Sequence, residues 1–270
     1  MSMNSFLDKE RLVELLVNKV SASKESLQEQ WNNGNASVTR HFVIDNFIPD
    51  ELCHLVYEDY MALKDNFIVG NFLFKQNKKT FTNLNDVSRQ TKNLYSALHD
   101  KRFVKVIEKI VNIKNLDPDP TLYAGGLTMM NQKDYLNPHI DNSHDRNRQK
   151  YRRINILFYI TPEWSLENGG NLELWNSDVS KSHCVVSKFN RLVIMETNNI
   201  SWHSVSPVKA NASRCCLSTY YFTIQSPEDF DYFHVTSFQG RPEQRFLRSI
   251  SKFDNSMRRL VSKVLNRGRR

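Results

Sequence analysis

Two histidines and one aspartate form a set of side chains that could hold a metal ion. His139 and Asp141 are two residues apart in the segment 137–141, just after a predicted strand. Residues i and i+2 of an extended segment point to the same face, so this imidazole and carboxylate would lie side by side. His203, which follows the apolar segment 192–195, is the candidate for a third ligand.

Arg214 makes this pattern more specific, because an HxD pair alone is common and weak evidence. It lies eleven residues after His203, at the start of another predicted strand. A buried arginine there could bind a carboxylate through two parallel hydrogen bonds. Two histidines and one carboxylate are the facial triad of non-haem Fe(II) oxygenases, which leaves positions open for O2 and a co-substrate. The residues therefore predict an iron site with an anchor for an organic acid.

The elements that must position these residues change in character along the chain. Its 270 residues are 40% apolar and 24% charged, as in a globular protein with a sizeable core. Apolar periodicity predicts helices at 6–31, from Pro49 onward and at 92–113, with a short strand at 41–47 and a polar loop at 70–86. From Thr121 onward, short apolar runs predict strands at 122–130, 154–160, 171–175, 183–186, 191–195 and 214–224.

Helices first and many short strands afterwards predict a mainly β fold with flanking helices, of the α+β class. Strands of this length, separated by clusters of Asn, Gly, Pro and Ser, are typical of a sandwich or a barrel. The N-terminal helices would then pack against the barrel. Residues near the C-terminus return to a helical pattern.

Five segments together carry a resemblance to a known family. They are Arg40–Glu51, Asp134–Asn142, Arg153–Trp164, Glu167–Trp175 and His203–Arg214. In order, they resemble the opening strand and helix, the first iron motif, the central strand, the Gly-Gly hairpin, and the second iron motif of the prolyl 4-hydroxylase-like branch of the 2-oxoglutarate- and Fe(II)-dependent dioxygenases. The resemblance implies a double-stranded β-helix, a jelly-roll barrel with the metal inside one end.

The extent of the resemblance also suggests three parts of the chain. Residues 1–40 would be an N-terminal helical extension. Residues 41–225 would be the Fe(II)/2-oxoglutarate dioxygenase core. Residues 226–270 would be a basic, amphipathic helical tail.

The resemblance implies a role for each matching site residue. His139, Asp141 and His203 would be the metal ligands. Arg214 would bind the distal (C5) carboxylate of 2-oxoglutarate. In that pocket, Tyr159 would hydrogen-bond the same carboxylate, and Asn155, four residues earlier on the same strand face, would be a further lining residue.

Two positions depart from the family pattern. Many members have a tyrosine nine or ten residues before the first iron histidine, where this chain has Met130 and Met129. The donor to the proximal (C1) carboxylate of 2-oxoglutarate is therefore open. The glycine usual before Asp134 is Lys133 here, so we expect that turn to differ.

The activity implied by the resemblance is hydroxylation of a substrate C–H bond with Fe(II), 2-oxoglutarate and O2, and with ascorbate as an accessory reductant. Succinate and CO2 would be the co-products, and the substrate a peptidyl or free amino acid such as proline. One alternative is an oxygenase that tailors a small molecule such as a sugar, lipid or secondary metabolite. Another is a metal-binding jelly roll without catalysis. DNA-demethylating relatives carry a second arginine six residues after the first, where this chain has Tyr220.

A polar segment at 142–153 follows the HxD pair and contains five basic residues and one acidic residue. The simplest interpretation is a solvated loop. A functional interpretation is a lid that attracts an anionic or polar substrate. If it is a lid, replacing Arg148 and Arg152 should raise the KM of the substrate.

The net charge of +8 lies in the tail, because residues 241–270 contain ten Lys/Arg and two Asp/Glu. The tail could be a helix packed on the barrel or a segment that binds weakly to an anionic membrane surface. Specific nucleic-acid binding is disfavoured, since no base-reading motif accompanies the charge. Four cysteines at unpatterned spacing, no secretory signal and no long apolar run predict reduced thiols and a cytoplasmic location.

Overall fold

The computed structural model describes residues 8–33, 39–72, 76–123 and 125–249. The helices are α1 (Lys9–Ala22), α2 (Lys24–Asn32), α3 (Asp50–Ala62), α4 (Arg89–Leu98) and α5 (Lys101–Val111), with short 3-10 turns at Lys64–Asn66 and Leu166–Asn168. The strands are β1 (His41–Asp45), β2 (Ile68–Phe72), β3 (Gln76–Phe81), β4 (Asp117–Pro118), β5 (Gly126–Met130), β6 (Tyr135–Ile140), β7 (Tyr151–Tyr159), β8 (Leu172–Trp175), β9 (Ser182–Val185), β10 (Arg191–Glu196), β11 (His203–Val205), β12 (Arg214–Thr223) and β13 (Ser237–Phe238).

The strands form one curled antiparallel sheet. Its order is β1-β10-β7-β12-β5-β3-β6-β11-β8-β9, with β2 paired to β3, β4 to β12 and β13 to β6. The curl brings the β6-β11-β8 part over the β7-β12-β5 part, as in a jelly roll. The predicted fold class is therefore confirmed.

Alternation along the central strands separates a helix-facing surface from an interior surface. On β7, Ile156 and Phe158 belong to the apolar core that also contains helix residues such as Leu16. Asn155 and Leu157, which alternate with these two residues along the strand, line a cavity on the other side of the sheet. Because successive side chains of a strand point to opposite faces, the helices cover one face and leave the polar interior free for a site.

Two predicted helices are each divided in the structure, and one division lies at a capping aspartate. The helix expected at 6–31 ends at Ser23 and restarts as α2. The helix expected at 92–113 is interrupted at Asp100, whose carboxylate accepts a hydrogen bond from the backbone N–H of Arg102 and so begins α5. A side chain that satisfies the free N–H groups of a first turn favours a new helix start.

Two loop predictions were wrong. The stretch 70–86 contains most of the β2–β3 hairpin, in which Gly70 pairs with Lys78. The stretch 142–153 includes the start of β7, and Arg152 on that strand is only 1% exposed. Both segments are polar on both faces, so they lack the apolar alternation that identifies a strand in the sequence.

The part of the tail that the structure describes is tied to the sheet. Arg241 is buried, and its guanidinium lies 2.7 Å from the Glu173 carboxylate of β8. Residues 245–249 are helical, and the rest of the predicted basic helix, 250–270, lies outside the described residues. Within the described ranges, no helix has the length and apolar character needed to span a bilayer.

His99 joins the helical layer to the sheet, since its Nε2 lies 2.8 Å from Thr219 Oγ1 and its ring packs on Tyr95. Burial lowers the pKa of His99 from 6.5 to about 4. The unfolded chain therefore binds a proton more readily than the folded chain between these values. The stabilisation is present above pH 6.5 and is lost as the pH falls toward 4, by up to about 3 kcal/mol.

Replacing His99 by glutamine should flatten the pH dependence of the free energy of unfolding between pH 6.5 and 4. Urea denaturation at several pH values measures this. His54→Gln, at an exposed helix position, is the matched control. An unchanged pH slope in His99→Gln would contradict the assignment.

Candidate metal centre and co-substrate pocket

The pairing of β11 with β6 brings the predicted metal ligands together. His203 and His139 are direct partners across these strands, and their ring centroids are 4.1 Å apart. Asp141 comes directly after β6, with its carboxylate oxygens 3.7 Å from His139 Nε2 and 3.8 Å from His203 Nε2. Of the described residues, this is the one group of three or more His, Cys, Asp or Glu side chains positioned to hold a metal ion.

Backbone carbonyls fix the orientation of both imidazole rings. The Nδ1 of His139 lies 3.0 Å from the carbonyl oxygen of Asn137, and the Nδ1 of His203 lies 2.9 Å from that of Ser201. Each Nδ1 therefore carries the proton that it donates, and each Nε2 presents a lone pair toward Asp141. A carbonyl behind the ring is the usual support of a metal-binding histidine.

The electrostatics favour a neutral His139 beside an ionised Asp141. Burial, aided by the neighbouring His203, lowers the pKa of His139 to about 3. Burial would raise the pKa of Asp141, but the charge of Arg152 and the two imidazoles hold it well below its usual range. Metal ions bind these same protonation states, so the protein is prepared for a cation without taking up or releasing many protons.

The Asp141 carboxylate also has an orphaned oxygen. Its Oδ2 is buried and has no hydrogen-bond partner among the described residues. Burying an anionic oxygen without a hydrogen bond is costly, and a metal ion placed between it and the two Nε2 atoms would remove that cost. Two nitrogen donors and one carboxylate suit a divalent metal such as Fe(II).

A cavity of about 370 Å³ opens from this group into the interior of the sheet. Arg214 and Asn155, both predicted to face the co-substrate, line it together with the three metal-ligand candidates. Tyr159 is not among the described residues that line the cavity, but its ring centroid lies 4.7 Å from the guanidinium carbon of Arg214. Burial raises the pKa of Tyr159, so its hydroxyl remains a hydrogen-bond donor at neutral pH.

Arg214 is buried without a carboxylate partner among the described residues. Its nearest polar contacts are long, 3.4 Å from Nε to Ser187 Oγ and 3.8 Å to the sulfur of Met130. Ser187 is in turn held by the carbonyl oxygen of Gly170, 2.8 Å away. Gly170 has a φ of +64°, and a Cβ there would meet Arg214 Cγ at 3.4 Å. The Gly-Gly hairpin therefore lets the chain pass close beside the arginine.

The turn before β6 keeps a conformation that suits glycine. Lys133 has a φ of +71°, and its N–H donates to the carbonyl oxygen of Val208 at 2.8 Å. The lysine accepts a left-handed conformation, which is uncommon for residues other than glycine.

Sequence reasoning did not place four residues beside the metal-ligand candidates. They are Phe238, Arg152, Tyr220 and Lys78. Phe238 of β13 stacks on His139 with centroids 5.4 Å apart. Arg152 lies 3.5 Å from Asp141 Oδ2 and 4.0 Å from the centroid of Tyr220. Lys78 of β3 lines the same cavity. The polar residues at 76–80 are compatible with a strand that is polar on both faces, but their polarity predicts a loop.

Two other histidines, His144 and His183, lie outside the group of metal-ligand candidates. His144 packs on Tyr151 at 4.3 Å between centroids, and His183 packs on His41 at 5.4 Å. Neither belongs to the cluster that could hold a metal.

The site-bearing region is similar to proteins of a known family. Residues 125–222 match the family model of the 2OG-Fe(II) oxygenase superfamily. Prolyl 3-hydroxylase OGFOD1 of Xenopus laevis is 26% identical over 207 residues, which cover 72% of this chain and 39% of that protein. The chain therefore spans less than half the length of this curated relative.

Solved structures show the same fold. A prolyl 4-hydroxylase from Phytophthora capsici gives a TM-score of 0.55 at 21% identity, covering 92% of this chain and 75% of that one. A prolyl hydroxylase of Trichoplax adhaerens, solved with a hypoxia inducible factor peptide, gives 0.53 at 18% identity, covering 83% and 94%.

We predict that His139→Ala and Asp141→Ala weaken Fe(II) binding by more than about 100-fold, beyond the usual effect of outer-shell changes. Each removes one of three donor atoms from the cluster. Anaerobic isothermal titration calorimetry measures the affinity. His183→Ala is the matched control and should bind Fe(II) like the wild type; equal affinities for all four proteins would remove the assignment.

Proposed function

We propose that this chain is a 2OG-Fe(II) oxygenase, because residues 125–222 match the model of that superfamily, and that it hydroxylates a prolyl C–H bond in a peptide or amino acid. The reaction would consume O2 and 2-oxoglutarate. One oxygen atom enters the hydroxyl group, and the other enters succinate as CO2 is released. The observation that carries the proposal is one cavity lined by His139, Asp141, His203 and Arg214.

In this proposal, the three clustered side chains hold Fe(II). His139 and His203 would donate through Nε2, because each Nδ1 is committed to a backbone carbonyl. Asp141 would supply Oδ2, the anionic oxygen that accepts no hydrogen bond from a described residue. A bound metal would supply O2 activation, and the protein would hold its ligands on β11 and at the end of β6.

Arg214 would hold the distal carboxylate of 2-oxoglutarate. Its guanidinium is buried, and its position is fixed by the ring of Tyr159 on one side and by β12. A charged donor pair in a low-dielectric wall binds a carboxylate more strongly than the same pair in water. Tyr159 could add a hydroxyl donor, and Asn155, whose side-chain oxygen has no described partner, lies along the same wall.

The proline substrate is proposed from the relatives. The curated relative is named a prolyl 3-hydroxylase and the similar structures are named prolyl hydroxylases. Because a fold hosts many chemistries, the position of hydroxylation on the ring is left to experiment.

Purified protein with Fe(II), 2-oxoglutarate and ascorbate should form succinate, and a proline peptide library should gain 16 mass units when a substrate is present. His139→Ala should form none. A wild-type protein that binds Fe(II) and 2-oxoglutarate but never forms succinate would favour the non-catalytic jelly roll instead.

Arg214→Met should raise the KM for 2-oxoglutarate by at least about tenfold, because charged hydrogen bonds to one carboxylate are lost. Steady-state succinate formation gives this value. Arg191→Met, which removes an arginine paired with Asp45, is the matched control. A normal KM in Arg214→Met would place the co-substrate elsewhere.

A further inference from the structure

The cavity has more positive charge than the metal and the co-substrate account for. Lys78, Arg152 and Arg214 line it, and Asp141 is the one acidic residue among its described lining residues. A divalent metal and the dianion 2-oxoglutarate would neutralise each other. Arg214 would then serve the co-substrate and Asp141 the metal, which leaves Lys78 and Arg152 without an anion.

Arg152 is a buried cation without a hydrogen-bond acceptor. It is 1% exposed, and none of its three guanidinium nitrogens has a partner among the described residues. Its closest anionic atom is Asp141 Oδ2 at 3.5 Å, beyond good hydrogen-bond length. The ring of Tyr220 lies 4.0 Å from the guanidinium carbon and holds the group in place. Such a group is costly to bury unless an acceptor occupies the cavity.

Lys78 reaches the same cavity from β3. Alternation along this strand places Gln76, Lys78 and Thr80 on the cavity wall, whereas Phe81 turns to the apolar core. The side-chain ammonium of Lys78 makes no ion pair or hydrogen bond with a described residue, whereas its backbone is paired with Gly70 of β2. Burial lowers its pKa, and the charges of Arg214 and Arg152 lower it further, while Asp141 acts in the opposite direction. These effects are consistent with one crowded cluster of cations.

We propose that Lys78 and Arg152 form a second anion subsite, distinct from Arg214, which binds a carboxylate of the substrate next to the C–H bond that is hydroxylated. The proposal rests on the proposed function and deepens it by giving the substrate class. The carboxylate is either the α-carboxylate of the proline itself or an acidic side chain beside the proline. Bidentate Arg and point-charge Lys donors suit such a group.

The rival role for Lys78 is to hold the C1 carboxylate of 2-oxoglutarate. Arg152 argues for the substrate instead, since two further cations exceed what one metal-bound carboxylate needs. The two roles also differ in what a Lys78 variant changes. A co-substrate role alters 2-oxoglutarate affinity, and a substrate role alters the preference for an acid over its neutral amide.

Binding to a non-reacting complex tests the proposal without turnover. Protein saturated with Zn(II) and N-oxalylglycine, an isostere of 2-oxoglutarate, is titrated by calorimetry with N-acetyl-L-proline and N-acetyl-L-prolinamide. A second arm compares the dipeptides N-acetyl-Pro-Asp-amide and N-acetyl-Pro-Asn-amide. The first pair tests the α-carboxylate and the second tests an acidic neighbour.

Wild-type protein should prefer the acid of one pair by about tenfold or more, as expected for a charged hydrogen bond. Lys78→Met should abolish that preference and leave N-oxalylglycine affinity unchanged. Lys79→Met, the adjacent lysine on the opposite face of β3, should behave like wild type. Arg152→Gln, accepted only if its melting temperature matches wild type, should also lose the preference.

Equal wild-type affinity for acid and amide in both pairs would overturn the subsite. A loss of N-oxalylglycine affinity in Lys78→Met, with the acid preference intact, would also overturn it and would assign Lys78 to the co-substrate. A wild-type protein that binds neither Zn(II) nor N-oxalylglycine would overturn the proposed function itself, and the subsite with it.

Discussion

The antiparallel pairing of β6 with β11 is the constraint on which the site depends. It places His139 opposite His203, and the two-residue step to Asp141 adds a carboxylate to the same spot. A shift of one residue in this pairing would turn one imidazole to the other face of the strand. The register is supported nearby, because the carboxylate of Glu173 on β8 accepts a 2.5 Å hydrogen bond from Ser204 and pairs with Arg241.

The rest of the fold keeps that pair of strands in a dry, charged interior. Helices α1 to α5 cover one face of the sheet, so the other face of β7 and β12 can carry Asn155, Arg214 and Tyr220. A buried guanidinium and a buried carboxylate oxygen that lack hydrogen-bond partners are unfavourable in the protein alone. They are consistent with a site whose electrostatics are completed by a metal, a dicarboxylate and an anionic substrate.

Much of this could be predicted from the sequence because the relevant signals are local. The HxD spacing indicated two of the metal-ligand candidates, and the apolar runs after residue 121 located six of the strands that the structure contains. Lys78 and Arg152 could not be placed in this way. Their segments are polar on both faces, and their burial arises only when β3 and β7 curl around one cavity. The donor to the C1 carboxylate likewise depends on tertiary contacts rather than on spacing.

A crystal structure with Mn(II) and N-oxalylglycine tests the central claim most directly. Anomalous scattering should place one metal ion about 2.0–2.2 Å from His139 Nε2, His203 Nε2 and an oxygen of Asp141, with the distal carboxylate of the ligand against Arg214. A metal bound by other residues, or a ligand carboxylate remote from Arg214, would contradict the account.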